Sequence, residues 1–208
     1  ILLAQELDHP YSLAFALNFA AIVHQFRRER QAAQEQAETA IALSTEQGFT
    51  LWLAQGTVTQ GWGLVEREQE VGIARIRQGL AAWRATGAEV GQPYYLALLA
   101  EAYGNTGQVE AGLSALADAL VQVDKTGERC NEAELYRLKG ELLLMQESKK
   151  QKAKGKRQKL ANPGHQPLSP NPQSGAEECF LKALTVAREQ QAKSWELRAA
   201  TSLARLWR

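Results

Sequence analysis

The sequence predicts an all-α fold in which antiparallel helix pairs stack as a right-handed superhelical solenoid, at a repeat of about 40 residues. Three observations predict it. Gly48, Gly87 and Gly127 lie 39 and 40 residues apart, each closing a helical run with Ile41, Leu80 or Leu120 seven residues upstream. Alanine and glycine recur on one face of alternate helices, where small side chains let two backbones approach. The stretch from Gln92 to Gly127 spells out one complete helix–turn–helix unit, and the other segments can be laid over it.

In that template Leu99, Ala100 and Tyr103 share a face of the first helix, and Gly107 breaks it. Gly112, Leu116, Ala119 and Leu120 give the second helix a face of mixed sizes before Gly127 stops it. This is a tetratricopeptide-like (TPR-like) pattern, stretched relative to the roughly 34 residues of the standard repeat. Because each repeat packs only on its neighbours, the 208 residues count as one continuous array rather than as separate domains.

The first repeat is expected over about 10–48. Asp8-His9-Pro10 reads as a helix start, with Asp8 as the cap and Pro10 in the first turn, where a missing N–H costs nothing. Leu13, Leu17, Ala20, Ala21 and His24 then keep helical spacing, and Phe15, Phe19, Ile22 and Phe26 thicken the apolar surface. A helix apolar on most faces is expected between neighbours. Arg27-Arg28-Glu29-Arg30 marks the turn, and Ala33, Ala37, Ala40 and Ile41 form the small face of the second helix.

The second repeat, about 50–87, places Gly56, Gly61 and Gly63 inside its first helix. Each glycine costs about 1 kcal/mol there relative to alanine, so neighbouring helices are expected to press close to them. The third repeat is the template, about 92–127. The fourth, about 131–191, opens with Leu138, Glu141, Leu142 and Met145 at helical spacing. It is then interrupted by a basic, Pro-rich stretch over 147–175 that holds seven positive side chains and one negative. Nearly devoid of large apolar residues, that stretch is expected to be a disordered loop between the two helices of this repeat. Ala176, Phe180, Ala183, Leu184 and Ala187 resume the pattern, and a partial fifth repeat runs over about 194–208. Leu203, Leu206 and Trp207 lack a following partner there, so the chain reads as a piece of a longer protein.

The totals narrow the function. A net charge of +1 argues against a chain that binds nucleic acid over its whole surface, although the stretch from Lys149 to Lys159 is locally basic. No aromatic residue lies within that run to stack on bases. Cys130 and Cys179 have neither metal-ligand spacing nor a CxxC pairing, which fits free buried thiols in a reducing, cytoplasmic compartment. No apolar run is long enough to span a membrane, and the N-terminus does not read as a signal peptide.

Catalytic signatures are absent. There is no G-x-x-x-x-G-K-[ST], no G-x-G-x-x-G after a strand, no H-E-x-x-H and no G-x-S-x-G. His9, His24 and His165 are scattered, and His24 takes the position of Tyr103, which suits a packed interface histidine. Glu132, Glu134 and Glu141 are spaced as a solvated helix face rather than as paired acids. Neither catalytic residues, a metal site nor a cofactor is expected. Of the five tryptophans, Trp62 and Trp207 also fall at the Tyr103 position, which predicts core packing.

What remains is the concave side, lined by the first helix of each pair. Counted from the template, Asn18, Gln25, Gln60, Glu101, Asn105, Arg137, Glu141, Arg198 and Arg205 fall there. This polar and charged set suits recognition of a peptide or partner domain. An inducer-sensing solenoid would instead need a closed, aromatic-lined cavity, and an oligomerisation scaffold would use the apolar last helix.

Several phrases resemble a bacterial family: LAFALNFAAIVHQFRRE, GFTLWLAQGTVTQGW, GIARIRQGLAAWRATGAEVGQPYYLALLAEAYG, DKTGERCNEAELYRLKGELLL and AREQQAKSWELRAATSLARLW. They are similar to the C-terminal repeat region of adenylate/guanylate cyclase proteins fused to a predicted ATPase of AAA or STAND type. The stretch 147–175 departs from the family, which has a short turn there. The resemblance implies a protein-interaction arm that regulates upstream cyclase and ATPase modules. It carries over no catalytic residue, because the cyclase carboxylates and the phosphate loop would lie upstream.

Overall fold

A computed structural model describes residues 1–158 and 173–208, with side chains over 1–152 and 174–208. Among these residues there are ten helices and no strand, and the helices pack in sequence-adjacent pairs. The chain forms two compact units, Ile1–Thr106 and Gly107–Arg208, where the sequence reading has one array.

The first unit begins with a short α1 (Leu2–Glu6) and continues through α2 (Pro10–Phe26), α3 (Arg30–Gln47), α4 (Thr50–Leu64), α5 (Gln69–Ala85) and α6 (Gln92–Asn105). Pro10 opens α2, but the cap is His9 rather than Asp8: its Nδ1 accepts the Ser12 N–H at 3.2 Å. Ala14, Leu17 and Ala21 turn inward from α2. Phe15, Phe19 and Phe26 stay exposed, so this helix is not enclosed on all sides. Ala33, Ala37, Ala40 and Ser44 make the inward face of α3, small enough for close helix approach.

Helix α4 is the centre of the first unit and is buried on nearly every side. Its glycines divide the work. A Cβ on Gly56 would meet Ile41 of α3 at 3.0 Å, and one on Gly63 would meet Gln34 of α3 at 3.0 Å. A Cβ on Gly61 would come within 2.7 Å of the Gly72 carbonyl and the Ile76 nitrogen of α5. The expected close packing is therefore present on two sides of one helix. The helix-ending glycines act differently: Gly48 closes α3 and Gly127 closes the helix Val109–Thr126, at φ 73° each, and Gly87 follows α5 at φ 79°. A Cβ would touch nothing within 4 Å at any of the three, so backbone conformation alone selects glycine there.

The second unit holds α7 (Val109–Thr126), α8 (Glu132–Gln158), α9 (Gln173–Glu189) and α10 (Lys193–Leu206). Ala176, Phe180, Ala183 and Leu184 of α9 pack with Ala199 and Leu203 of α10 in one apolar cluster. The Phe180 ring lies so close to Gly140 of α8 that a Cβ there would come within 2.5 Å of it.

One expectation needs correction. Residues 147–158 of the expected loop belong to α8, and 173–175 belong to α9; the rest of that stretch lies outside the described residues. Lysine, glutamine, alanine and arginine are good helix formers, and cations suit a helix C-terminus. Lys150 also pairs with Glu147 at 2.9 Å and bonds Gln146 at 3.3 Å, both on neighbouring turns.

Candidate functional site

The nine polar residues placed on the lining face by the sequence separate into two groups. In the first unit, Asn18 is fully buried (0% exposed) and donates from Nδ2 to the Ala14 carbonyl at 2.9 Å. Gln25 is 3% exposed, and its Oε1 accepts the Tyr94 hydroxyl at 2.9 Å. Burial, with Tyr95 and Glu101 adding to it, pushes the Tyr94 phenol well above its ordinary range, so it stays a donor. Phe26 packs on the same ring at 5.6 Å between centroids.

Beside them Arg28 pairs with Glu101, and Arg30 stacks over Trp62 at 4.3 Å while donating to the Trp62 carbonyl at 2.8 Å. Gln60 is half-buried and Asn105 is exposed. The shared face of α2, α4 and α6 is thus closed by its own side chains. Asn18 and Gln25 are buried: Asn18 lies against Gly56 of α4, and Gln25 is bonded to Tyr94 of α6.

Trp62 is buried, as its position predicts. Trp207 is not: it is 65% exposed, and its Nε1 donates to Glu177 at 2.9 Å. His24 is half-exposed and bonds the Glu29 carboxylate at 2.6 Å. Cys130 and Cys179 are free thiols, but Cys130 is exposed rather than buried.

The second unit is arranged differently. Arg137 grips Glu134 with two bonds, from Nε at 2.8 Å and from Nη2 at 2.9 Å. Arg198 of α10 reaches the same carboxylate at 2.7 Å and lies over the Trp195 ring at 5.3 Å. Arg137 Nη1 also donates to Glu141 at 3.2 Å and to Ser202 Oγ at 3.3 Å, and the Ser202 hydroxyl donates to Glu141 at 2.7 Å. Glu134 is 6% exposed, so the solvated face expected for Glu132 and Glu134 is a buried ion-pair network instead.

This network forms one end of a cleft of about 340 Å³ between α8 and α10. Glu141, Leu144, Glu147, Ser148 and Gln151 line it from α8; Ser202, Arg205 and Leu206 line it from α10. Of the sequence-predicted residues, Arg137, Glu141 and Arg198 share the network, and Arg205 faces the cleft. Glu147, Ser148 and Gln151 were hidden inside the stretch read as a loop. Ser202 carries no sequence signal beyond its place one turn before Leu206.

A second cleft, of about 350 Å³, lies on the other flank of the same α8 ridge. Glu141, Leu144 and Ser148 border both. The far side here is Gly107, Val109, Met145, Lys149 and Lys152. Among the described residues no three His, Cys, Asp or Glu side chains converge to hold a metal ion, and no helix is long and apolar enough to cross a membrane.

No protein-family profile matches the chain, and no curated protein is similar to it. Among solved structures it is similar to a crystal structure of a Podosopora anserina protein assigned as a kinesin light chain, built of nearly identical TPR-like repeats. The TM-score is 0.54 at 15% identity, over 96% of this chain and 99% of that one. At that identity the likeness is one of fold. Over the described residues the chain is all-α, with its helices packed in TPR-like pairs.

Proposed function

We propose that this chain is a non-catalytic interaction module whose second unit receives a peptide, or an exposed segment of a partner domain, in the cleft between α8 and α10. One observation carries the reading. Arg137, Glu141 and Ser202 are fixed by one another at the head of the cleft, while Glu147, Gln151 and Arg205 leave donors and acceptors of both signs along its length. Preorganised polar groups beside the apolar Leu144 and Leu206 suit an extended segment, whose backbone needs both donors and acceptors. Neither described cleft is lined by an aromatic ring, which disfavours an inducer-sensing pocket.

The resemblance of the long phrases to the repeat region of cyclase–ATPase fusion proteins supports a place in a larger bacterial, cytoplasmic signalling protein. There the segment bound would come from an upstream domain of the same chain or from a separate partner. A second reading, self-association, is favoured by Leu197 and Trp207, exposed on and just after α10 at 69% and 65%. Concentration-dependent mass by sedimentation tests it.

Selecting peptides from a random display library against the full chain tests the main reading. Enriched peptides should lose binding to the Arg205→Glu and Leu206→Ala variants and retain it with Phe19→Ala in the first unit. Peptides that ignore both cleft variants would overturn it. So would turnover of ATP or GTP by clean protein, for the non-catalytic part.

A further inference from the structure

We propose that the second cleft, between the start of α7 and the lysine-bearing turns of α8, is a docking site for an acidic amphipathic segment of a partner protein. The inference rests on reading the second unit as a segment-binding module, but it uses a different surface. The charges on α8 sort by flank. Glu141 borders both clefts, yet its carboxylate is bound to Ser202 and Arg137, on the α10 side. Glu147 lines only the α8–α10 cleft and pairs with Lys150. The α7 flank is left with Lys149 and Lys152 beside Val109, Leu144 and Met145, an apolar floor under a cationic rim.

Lys149 Nζ donates to the Gly107 carbonyl, which ties α8 to the turn ahead of α7 and forms one wall of the cleft. Among the described residues nothing pairs with Lys152. Met145 is exposed, and an unbranched thioether adapts to varied apolar partners.

This chemistry selects the occupant. A cationic rim alone would take any polyanion, but an apolar floor contributes nothing to a phosphate backbone, and no aromatic side chain lines the cleft to stack on a base. A segment with apolar residues on one face and carboxylates on the other satisfies both parts at once. Its apolar side chains would cover Leu144 and Met145, and its carboxylates would reach Lys149 and Lys152.

The test is fluorescence anisotropy of a labelled peptide of glutamate and leucine with the leucines at helical spacing, titrated with the full chain. Binding is expected, falling with added salt, and weakening about tenfold for Lys152→Glu and further for Met145→Asp. A peptide of the same composition with its leucines dispersed should bind at least about tenfold less tightly, since the apolar contact is lost. Circular dichroism checks that each variant is folded. Lys152 is exposed, so its reversal keeps the test open if Met145→Asp does not fold. Equal binding of the dispersed peptide, displacement by single-stranded RNA at matched charge, or no binding at all would each overturn the proposal. If Arg205→Glu abolishes binding while Lys152→Glu does not, the α8–α10 cleft stands and this second site falls.

Discussion

In the first unit Tyr94 donates into Gln25, Arg28 closes on Glu101, and Arg30 lies across Trp62. In the second unit Arg137 and Arg198 also turn onto a glutamate, yet open clefts of about 340 and 350 Å³ flank α8 beside them. Both units present polar residues from the first helix of each pair, and they differ in what surrounds those residues. Around Gln25 stand Tyr94 and Phe26, bulky rings that fill the face. Around Glu141 stand Ser202, Ser148 and Gln151, whose short or flexible side chains leave room for a guest. The comparison teaches that a polar residue on a lining helix borders an open cleft only where its neighbours leave space for one.

The sharpest way to break this comparison is to remove the anchor of the second unit. Glu134→Ala strands the Arg137 guanidinium, whose side chain is only 12% exposed, without its bidentate partner. Breaking a buried pair from one side costs about 3–5 kcal/mol. Retained contacts to Glu141 and Ser202 hold the expected loss near the lower end, about 3 kcal/mol in urea unfolding followed by circular dichroism. A loss under about 0.5 kcal/mol would restore the solvated face that glutamate spacing alone suggests.

The first unit breaks by crowding instead. Gly61→Ala would put a methyl group 2.7 Å from two backbone atoms of α5, which cannot yield as a flexible side chain would. Overpacking of this kind costs about 2 kcal/mol. Gly48→Ala, with nothing within 4 Å, carries only the strain of a left-handed backbone, about 1 kcal/mol. If the two variants unfolded alike, the tight α4–α5 contact would be wrong.

These positions also show what could be read from residues alone. Gly48, Gly87 and Gly127 were legible as helix stops because a left-handed backbone selects glycine whatever surrounds it. The alanine faces of α3 and α9 were legible because close helix packing tolerates little else. The run of α8 to Gln158 was not. Its lysines and glutamines bury little surface, so low apolar content points to a loop while their helix propensity points to a helix. Nor was the fate of the lining residues. Asn18 and Gln25 are as polar as Glu141 and Arg205, and what the neighbouring helices bring against each decides which become interior: Gly56 of α4 at Asn18, Tyr94 of α6 at Gln25. The exposure of Trp207 is not legible either, because its spacing matches that of Trp62 although it caps α10 instead of lying inside a helix.

A smaller effect sharpens the account of the closed face. Tyr94→Phe keeps the ring against Phe26 and removes only the hydroxyl that donates to Gln25. A buried acceptor left without its donor costs about 1–3 kcal/mol, less what the amide regains by reorienting, so about 1 kcal/mol is expected. Thermal unfolding of this variant beside Gln25→Leu and the double variant forms a cycle. Additive losses would show that the two side chains are not coupled and that the face is closed by bulk alone.

The smallest effect compares one surface carboxylate from each unit. His24, and then Arg27, hold the Glu29 carboxyl below its ordinary value of 4.5, partly offset by desolvation. Arg188, and then Lys193, do the same for Glu196 at the start of α10. A carboxylate lowered in the folded state binds its proton less readily there than in the unfolded chain. Its contribution is therefore complete above the ordinary value and is lost as pH falls through the lowered one. Both carboxylates lie at the surface, with 37% and 23% of the side chain exposed, so the effect is screened by salt, with a Debye length of about 3 Å at 1 M. Glu29→Gln and Glu196→Gln should each lower the melting temperature slightly at neutral pH and low salt. Each difference from the parent should shrink as the pH drops below 4.5. A difference that grew in acid would reverse the sign and mean that the carboxyl is held in its protonated form. Glu196 is the more informative of the two. Its bond to Arg188 at 2.8 Å joins α9 to α10, so its loss loosens a contact between helices, whereas Glu29 meets Arg27 and His24 within one turn of the chain.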